Sequence, residues 1–270
     1  MLHRTYRPDA GTTGIQQVFA EGDPLCWLRF DVATLTDTAS PLVVQDEAYE
    51  TAVVILSGVV SVTVGDRTTP HVGGRGNVFE GPPATVYLPT GMSAELAAQS
   101  PRVELALCRA KAARANAEAA IIQPQDVQVL ERGQKLWHRQ IRNILTADVG
   151  PQAAALVLGE TINDPGQWSG YPPHKHDTAN PPHENIFEEL YYYRTEPADG
   201  WAVQLHYGAP GFPEQGYLVR DRDSFAIPRG YHPVVAQGGY RVYYLWFMAG
   251  PSGRRPAPYE DPHSRWVNES

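Results

Sequence analysis

Two histidines separated by one residue, with a carboxylate and a third histidine further along, are the residues of this chain best suited to chemistry. The pair lies in the segment 171–177. In an extended strand, alternate side chains share a face, so His174 and His176 can bind one ion. Glu189 begins an aromatic, β-prone run, and His232 follows a Pro-x-Gly turn. The sequence therefore predicts a metal site of three imidazoles and one carboxylate.

Imidazole and carboxylate ligands suit zinc, manganese, iron or nickel, and no thiolate narrows the choice. We expect a divalent metal ion as the cofactor. Zinc is the favoured ion, and manganese, iron and nickel are alternatives.

The composition of the chain indicates an all-β protein. Its 270 residues include 24 Gly, 24 Pro, 14 Tyr and 6 Trp. Gly and Pro interrupt regular elements and aromatic residues favour pleated surfaces, so many short strands joined by tight turns are expected. The two cysteines, Cys26 and Cys108, lie among apolar neighbours and are predicted to be buried free thiols.

Charge and hydropathy argue against several kinds of partner. A formal net charge of -8 disfavours a nucleic-acid partner, because phosphate binding needs clustered Lys and Arg. The N-terminus has no apolar core of signal-peptide length and no later run could span a bilayer. We therefore predict no membrane partner and a cytoplasmic location.

The two halves of the chain repeat the same features. Pro89 and Pro228 begin Pro-x-Gly turns at an offset of 228 - 89 = 139, and Glu50 and Glu189 begin strand-like runs at the same offset, 189 - 50 = 139. Two β units related by duplication explain this pattern. The predicted units are an N-terminal one with its linker and a C-terminal one carrying the metal site; their residues are 1–120 and 121–270.

The first unit is predicted to lack a metal site. Ser93 occupies the position that corresponds to His232, and no His-x-His precedes Glu50. Residues 109–120 are rich in helix formers and predict a short helix or linker between the units. Residues 178–185 include Pro181-Pro182 and predict a loop beside the metal.

At these motifs the chain resembles the cupin superfamily, whose barrels hold a metal through a His-x-His, a Glu and a distant His. More narrowly, it resembles the KduI/IolB isomerase family of uronate isomerases, and the resemblance extends from end to end. It rests on residues 159–163, 165–166, 168–169, 171–177, 188–193, 230–233 and 244–250. The resemblance implies a bicupin of two jelly-roll β-barrels, with His174, His176, Glu189 and His232 as ligands.

The carboxylate ligand departs from the usual spacing of a cupin motif. In a cupin motif the Glu usually follows the second His by a few residues, whereas here the separation is 189 - 176 = 13. Glu184 and Glu188 are therefore alternatives. Glu189 is preferred because it matches Glu50 in the repeat.

The resemblance implies conversion of 5-deoxy-D-glucuronate to 5-dehydro-2-deoxy-D-gluconate in myo-inositol catabolism. This aldose-ketose isomerisation moves a proton from C2 to C1 through an enediolate, whose negative charge a metal stabilises. The partner is then a small-molecule uronate, and a homo-oligomer formed through sheet edges is a further expectation.

Six other residues near the motifs are candidates for the chemistry. A base must reach both carbons, and a carboxylate favours the planar guanidinium of arginine. Glu188 and Lys175 are expected to face away from the metal if their strands are regular. The catalytic candidates are Glu188, Tyr231 and Lys175, and the substrate-binding candidates are Arg142, Arg229 and Tyr171.

Two other functions compete with the isomerase. A three-His, one-Glu shell also suits an iron-dependent cupin dioxygenase, which would retain iron and take up oxygen. A sugar-binding cupin without turnover is the alternative of a different class, since the first unit already shows the loss of a site.

Overall fold

The computed structural model describes residues 1–6, 12–22, 24–113, 117–251 and 253–269. Within these ranges the chain forms β-strands and three short 3-10 segments, Pro124–Asp126, Lys135–Trp137 and Arg265–Glu269, without an α-helix. The predicted all-β fold is confirmed. No helix of the described residues has the length and apolar character needed to cross a membrane.

The strands up to residue 122 form the first unit, except for the first of them, which joins the sheet of the second unit. They are β1 (His3–Thr5), β2 (Gly14–Phe19), β3 (Leu28–Leu35), β4 (Leu42–Gln45), β5 (Tyr49–Ser57), β6 (Val59–Val64), β7 (Arg67–Gly73), β8 (Thr85–Leu88), β9 (Ser93–Ala98), β10 (Val103–Lys111) and β11 (Ala120–Ile122). A six-stranded sheet, ordered β11-β8-β5-β10-β3-β2, faces a four-stranded sheet ordered β4-β9-β6-β7. Of the short helix or linker predicted over 109–120, the helix is not formed where the chain is described, because β10 continues to Lys111 and β11 begins at Ala120; residues 114–116 lie outside the described residues.

The second unit repeats this arrangement with the strands that follow. They are β12 (Gln128–Arg132), β13 (Arg139–Leu145), β14 (Val157–Asn163), β15 (Trp168–Ser169), β16 (His174–Lys175), β17 (Glu188–Glu196), β18 (Trp201–His206), β19 (Gln215–Arg220), β20 (Asp223–Ile227), β21 (Val234–Ala236), β22 (Arg241–Ala249) and β23 (Tyr259–Glu260). A seven-stranded sheet, ordered β1-β20-β17-β22-β14-β13-β12, faces a four-stranded sheet ordered β15-β21-β18-β19. Strand β16 pairs with β23. The two barrels correspond to the predicted bicupin architecture.

The two large sheets pack back to back, so their central strands are buried on both faces. In β17, Leu190 and Tyr192 belong to the core between the units, whereas Tyr191 and Tyr193 belong to the interior of the second barrel. The alternation follows from the two-residue period of a strand. Glu188 and Glu189, at the start of β17, must therefore point in opposite directions.

A buried ion cluster crosses this interface. The Glu160 carboxylate, fully buried, accepts hydrogen bonds from Arg75 of the first unit at 2.7 Å and 3.2 Å, from Arg142 at 3.2 Å, and from the Tyr243 hydroxyl at 2.8 Å. A buried carboxylate is tolerated when its hydrogen bonds are satisfied in this way. The cluster thus fixes one unit against the other.

The N-terminal strand does not stay with the unit that follows it. Strand β1 pairs antiparallel with β20, with His3 opposite Phe225. His3 Nε2 lies 2.9 Å from Asp223 Oδ2, and Leu2 is buried in the core of the second barrel. The first residues, which the sequence assigned to 1–120, therefore complete the sheet of the second unit.

Candidate metal centre

The four predicted ligands come together in the second barrel. His174 opens the short strand β16, Glu189 lies in β17, and His232 precedes β21. The ligand atoms of the three histidines lie within 4.8 Å of one another. Glu189 Oε2 lies 3.1 Å from His176 Nε2 and 3.2 Å from His232 Nε2.

The imidazole rings are held with one nitrogen directed inward. His176 Nδ1 lies 2.8 Å from the Phe187 carbonyl and His232 Nδ1 lies 2.8 Å from the Gly230 carbonyl. A carbonyl oxygen only accepts, so each Nδ1 carries the proton and each Nε2 keeps its lone pair for an ion. His232 Nε2 is buried and has no hydrogen-bond partner in the structure. This orphaned acceptor and the donor set fit a divalent metal.

The protonation states also suit a metal. Burial, with His232 and His176 nearby, lowers the pKa of His174 to about 3, so this imidazole is neutral. Burial alone would raise the pKa of Glu189, but the nearby His176 and His232 outweigh it and lower the pKa to about 2. A neutral imidazole and an ionised carboxylate are the forms that coordinate metal ions.

A cavity of about 170 Å³ opens onto this cluster. Its wall is apolar and aromatic apart from one arginine, one threonine and the two ligands; the lining residues are Arg139, Ile141, Thr161, Gly170, His174, Glu189, Tyr191, Tyr244, Trp246 and Met248. Few polar groups in a largely apolar wall are typical of a small-molecule site. The wall is tightly built at Gly159, where a Cβ atom would lie 2.3 Å from Trp246 Cζ2.

The alternative ligands Glu184 and Glu188 have other partners. Glu184 accepts hydrogen bonds from Lys175 Nζ at 2.9 Å and from the Asp177 and Thr178 amides at 2.8 Å and 2.9 Å. Glu188 points into the interface between the units and accepts hydrogen bonds from the Cys26 and Trp27 amides, at 2.8 Å each. Neither carboxylate is directed at the histidines.

The predicted catalytic residues do not line the cavity. Glu188 faces the first unit, and Lys175 is engaged by Asp177 and Glu184 on the strand face opposite His174 and His176. Tyr231 stacks on Tyr207, with ring centroids 5.0 Å apart. For Glu188 and Lys175 the reason is the strand alternation already expected from the sequence.

The predicted substrate-binding residues are also placed elsewhere. Arg142 donates to Glu160 and to the Val78 and Gly81 carbonyls at the interface. Arg229 is exposed, and the structure does not place it in the cavity wall. Tyr171 packs against Trp168, with ring centroids 5.5 Å apart, outside the lining.

Sequence reasoning missed the arginine that does line the cavity, Arg139. Arg139 and Ile141 share the face of β13 that points to the cavity, whereas Arg142 points to the interface. The signal was available, because Ile141 marks the apolar face and Arg139 lies two residues away.

Cysteine burial differs from the prediction in one case. Cys108 is buried, as predicted, but Cys26 is exposed, because it precedes β3 at the edge of the interface.

Two barrels, with one His-rich centre among the described residues, define a bicupin with a candidate metal site. A match to the KduI/IolB family covers residues 2–267. The chain belongs to this family.

Relatives and solved structures agree with this placement. The 5-deoxy-glucuronate isomerase of Listeria monocytogenes is 34% identical over 262 residues, 96% of this chain and 94% of that one. The enzyme of the same name from Bacillus velezensis is 34% identical over 275 residues, with both chains covered completely (100%). The crystal structure of an IolB-like protein from Salmonella typhimurium superposes with a TM-score of 0.90, 31% identity and 99% coverage of each chain.

A more distant structure shares the fold alone. A variant of oxalate decarboxylase from Bacillus subtilis gives a TM-score of 0.62 at 12% identity, over 96% of this chain and 79% of that one.

Proposed function

We propose that this chain is a metal-dependent aldose-ketose isomerase that converts 5-deoxy-D-glucuronate to 5-dehydro-2-deoxy-D-gluconate. The names of its curated relatives, about a third identical over nearly its whole length, support the substrate and the reaction. The observation that carries the proposal is the cluster of His174, His176, Glu189 and His232, of which His174 and Glu189 line a small cavity.

The proposed cofactor is zinc, with manganese, iron and nickel as alternatives. A divalent metal held by these four residues would polarise the carbonyl and hydroxyl oxygens at C1 and C2 and stabilise negative charge as the C2 proton leaves. The carbonyls of Phe187 and Gly230 keep the proton of His176 and His232 on Nδ1, and so hold the rings in the orientation that the ion requires.

Two buried tyrosines add phenolic hydroxyls to the wall. Tyr191 and Tyr244 pack with ring centroids 4.5 Å apart. Burial raises the pKa of both phenols, so they stay protonated. We assign them to hydrogen-bond donation toward the substrate oxygens, in place of Glu188, Tyr231 and Lys175.

The test is an anaerobic assay of the metal-analysed protein with 5-deoxy-D-glucuronate in deuterium oxide, followed by NMR. Ketose formation without oxygen, with deuterium entering at C1 and activity lost on chelation, is the expected result. Absence of turnover with the metal fully bound would overturn the proposal. Turnover that needs oxygen would instead identify a dioxygenase.

Assembly and location remain predictions. We propose a homo-oligomer, and a monomeric mass measured by light scattering would contradict this proposal. The cytoplasmic location predicted from the sequence stays a prediction, as does the absence of nucleic-acid and membrane partners.

A further inference from the structure

Arg139 is the one Lys or Arg among the described residues that line the cavity of the metal centre. It opens β13, and its side chain is half-buried. Its Nη1 donates to the carbonyl oxygens of Trp137, at 3.1 Å, and Tyr171, at 3.2 Å. These two contacts hold one corner of the guanidinium and leave further N–H donors for a ligand.

Among the described residues, Arg139 forms no direct ion pair with a carboxylate. The titratable groups that act on it are Tyr244, Arg132 and Tyr191, and none of these is a carboxylate. Arg132 lies directly opposite Arg139 in the β12–β13 ladder. Like charges facing each other across two strands are unfavourable, and an anion at Arg139 would relieve the repulsion.

The contrast with Arg142 strengthens this reading. Arg142 lies three residues further along the same strand and is fully engaged by Glu160 and two carbonyls. Arg139 faces the cavity, whereas Arg142 faces the buried carboxylate of Glu160. The strand thus places Arg142 in a structural ion cluster and leaves Arg139 available to a ligand.

The turn before β13 is shaped to present this arginine. Gly133 has a φ of +75°, and a Cβ atom there would lie 2.2 Å from the Trp137 carbonyl and 2.7 Å from Arg139 Nη1. Only glycine therefore lets the Trp137 carbonyl approach and hold the guanidinium in place.

We infer that Arg139 binds the carboxylate of the sugar substrate, while the carbonyl end of the same molecule lies at His174, His176, Glu189 and His232. The inference rests on the proposed function and adds the group that selects uronates over neutral sugars. The planar fork of the guanidinium matches a carboxylate in a bidentate contact, which an ammonium cannot reproduce.

The experiment compares two substrates in three variants. The substrates are 5-deoxy-D-glucuronate and 5-deoxy-D-glucose, which has a CH2OH group in place of the carboxylate. Arg139→Met removes the charge at similar length, Arg139→Lys keeps the charge without the fork, and Arg220→Met, at an exposed arginine outside the cavity lining, is the matched control. Metal content is measured for each variant.

Arg139→Met should lower kcat/KM for the uronate roughly 100-fold, the size expected for a lost charge-assisted contact, and leave that for the neutral sugar within threefold. Arg139→Lys should lose roughly tenfold on the uronate, and Arg220→Met should behave as wild type. An equal loss on both sugars, or an unchanged preference for the uronate, would overturn the inference.

Binding provides a second measurement that does not depend on turnover. The two substrates reduced at C1 are unreactive, and their inhibition or dissociation constants should show the same carboxylate preference in wild type and its loss in Arg139→Met. If wild type fails to convert 5-deoxy-D-glucuronate, the proposed function fails. If wild type converts it and Arg139→Met keeps the preference, the role of Arg139 alone fails.

Discussion

Glu50 and Glu188 occupy corresponding places in the two units, and each carboxylate caps backbone amides of the other unit. Glu50 accepts hydrogen bonds from the Ala154, Ala155 and Leu156 amides at 2.8 Å, 2.7 Å and 2.6 Å. Glu188 does the same for the loop before β3. Glu50 and Glu188 therefore form a reciprocal pair of contacts between the units, which we call the clasp.

The clasp leads to a prediction that separates stability from metal binding. Glu50→Gln and Glu188→Gln should each lower the free energy of unfolding by about 1–3 kcal/mol, because an amide cannot replace a carboxylate that faces several N–H donors. Glu188→Gln should also weaken metal binding, since Glu188 anchors the residue next to Glu189, whereas Glu50→Gln should not. Urea unfolding of the metal-free proteins and zinc titration measure the two effects. Equal metal affinity in both variants would contradict this role for Glu188.

Removal of a ligand should remove the metal. His232→Ala takes away one of the four donors and is expected to leave the purified protein without stoichiometric metal and without activity. Mass spectrometric metal analysis is the measurement. His183→Ala, an exposed histidine in the adjacent loop, is the control and should retain both. Full metal content in His232→Ala would refute the site as drawn.

Asp177 joins the two segments that carry the histidines. Its Oδ2 accepts the Gly230 amide at 2.9 Å, two residues before His232, while its Oδ1 contacts Lys175 of the His-x-His strand. Asp177→Ala should lower metal affinity roughly 10- to 100-fold through misplacement of His232. Competition with a chelator measures the affinity. Asp199→Ala, at an exposed aspartate, serves as control. Unchanged metal affinity in Asp177→Ala would show that the turn before His232 does not need the Asp177 contact.

The contact between the units should make stability sensitive to acid. Burial alone would raise the pKa of Glu104, but Arg222 and Arg194 of the second unit outweigh it and lower the pKa. A lowered pKa in the folded state gives stability above the ordinary glutamate pKa of 4.5 that is lost as the pH falls through the folded value.

Glu104→Gln should therefore cost about 1–3 kcal/mol at pH 7 and make the loss of stability in acid shallower. Urea unfolding from pH 7 down to the acid limit measures both quantities. Glu95→Gln, an exposed glutamate, should leave the profile unchanged. If the free energy of unfolding of Glu104→Gln falls with pH in parallel with that of wild type, this ion pair is not the cause of the acid sensitivity.

The wall of the cavity should be sensitive to a single methyl group. Gly159→Ala places a Cβ against the Trp246 ring, which must then move, so activity should fall and stability should drop by about 1–3 kcal/mol. Metal content should stay full because the ligands are untouched. Gly238→Ala, where a Cβ meets no atom within 4 Å, is the matched control. Wild-type kinetics in Gly159→Ala would show that Trp246 does not shape the substrate space.

Much of the site followed from local pattern. The one-residue spacing of His174 and His176 and the apolar alternation of β17 are short-range signals, and the structure brings both histidines to Glu189. The repeat pointed to the right strand but to the wrong partner: Glu50 shares its face with Ala52 and Val54, which pack between the units. Its structural counterpart is thus Glu188, at an offset of 188 - 50 = 138.

What the sequence did not reveal depends on contacts distant along the chain. Alternation along β13 separates Arg139 from Arg142, but the partners that engage Arg142 include Glu160, which also pairs with Arg75 of the first unit only when the units dock. The placement of β1 has no local signal either, because His3–Thr5 finds its partner strand some 220 residues later, as the His3–Asp223 contact shows.

That placement has a consequence for how the second barrel could be used. A polypeptide that starts at residue 121 would present β20 as an open edge, with the pocket for Leu2 vacated. Peptides bind such edges by adding a strand, their main chain supplying affinity and alternate side chains supplying selectivity. In such a polypeptide, a synthetic peptide of residues 1–6 should restore the missing edge strand and fill the pocket of Leu2.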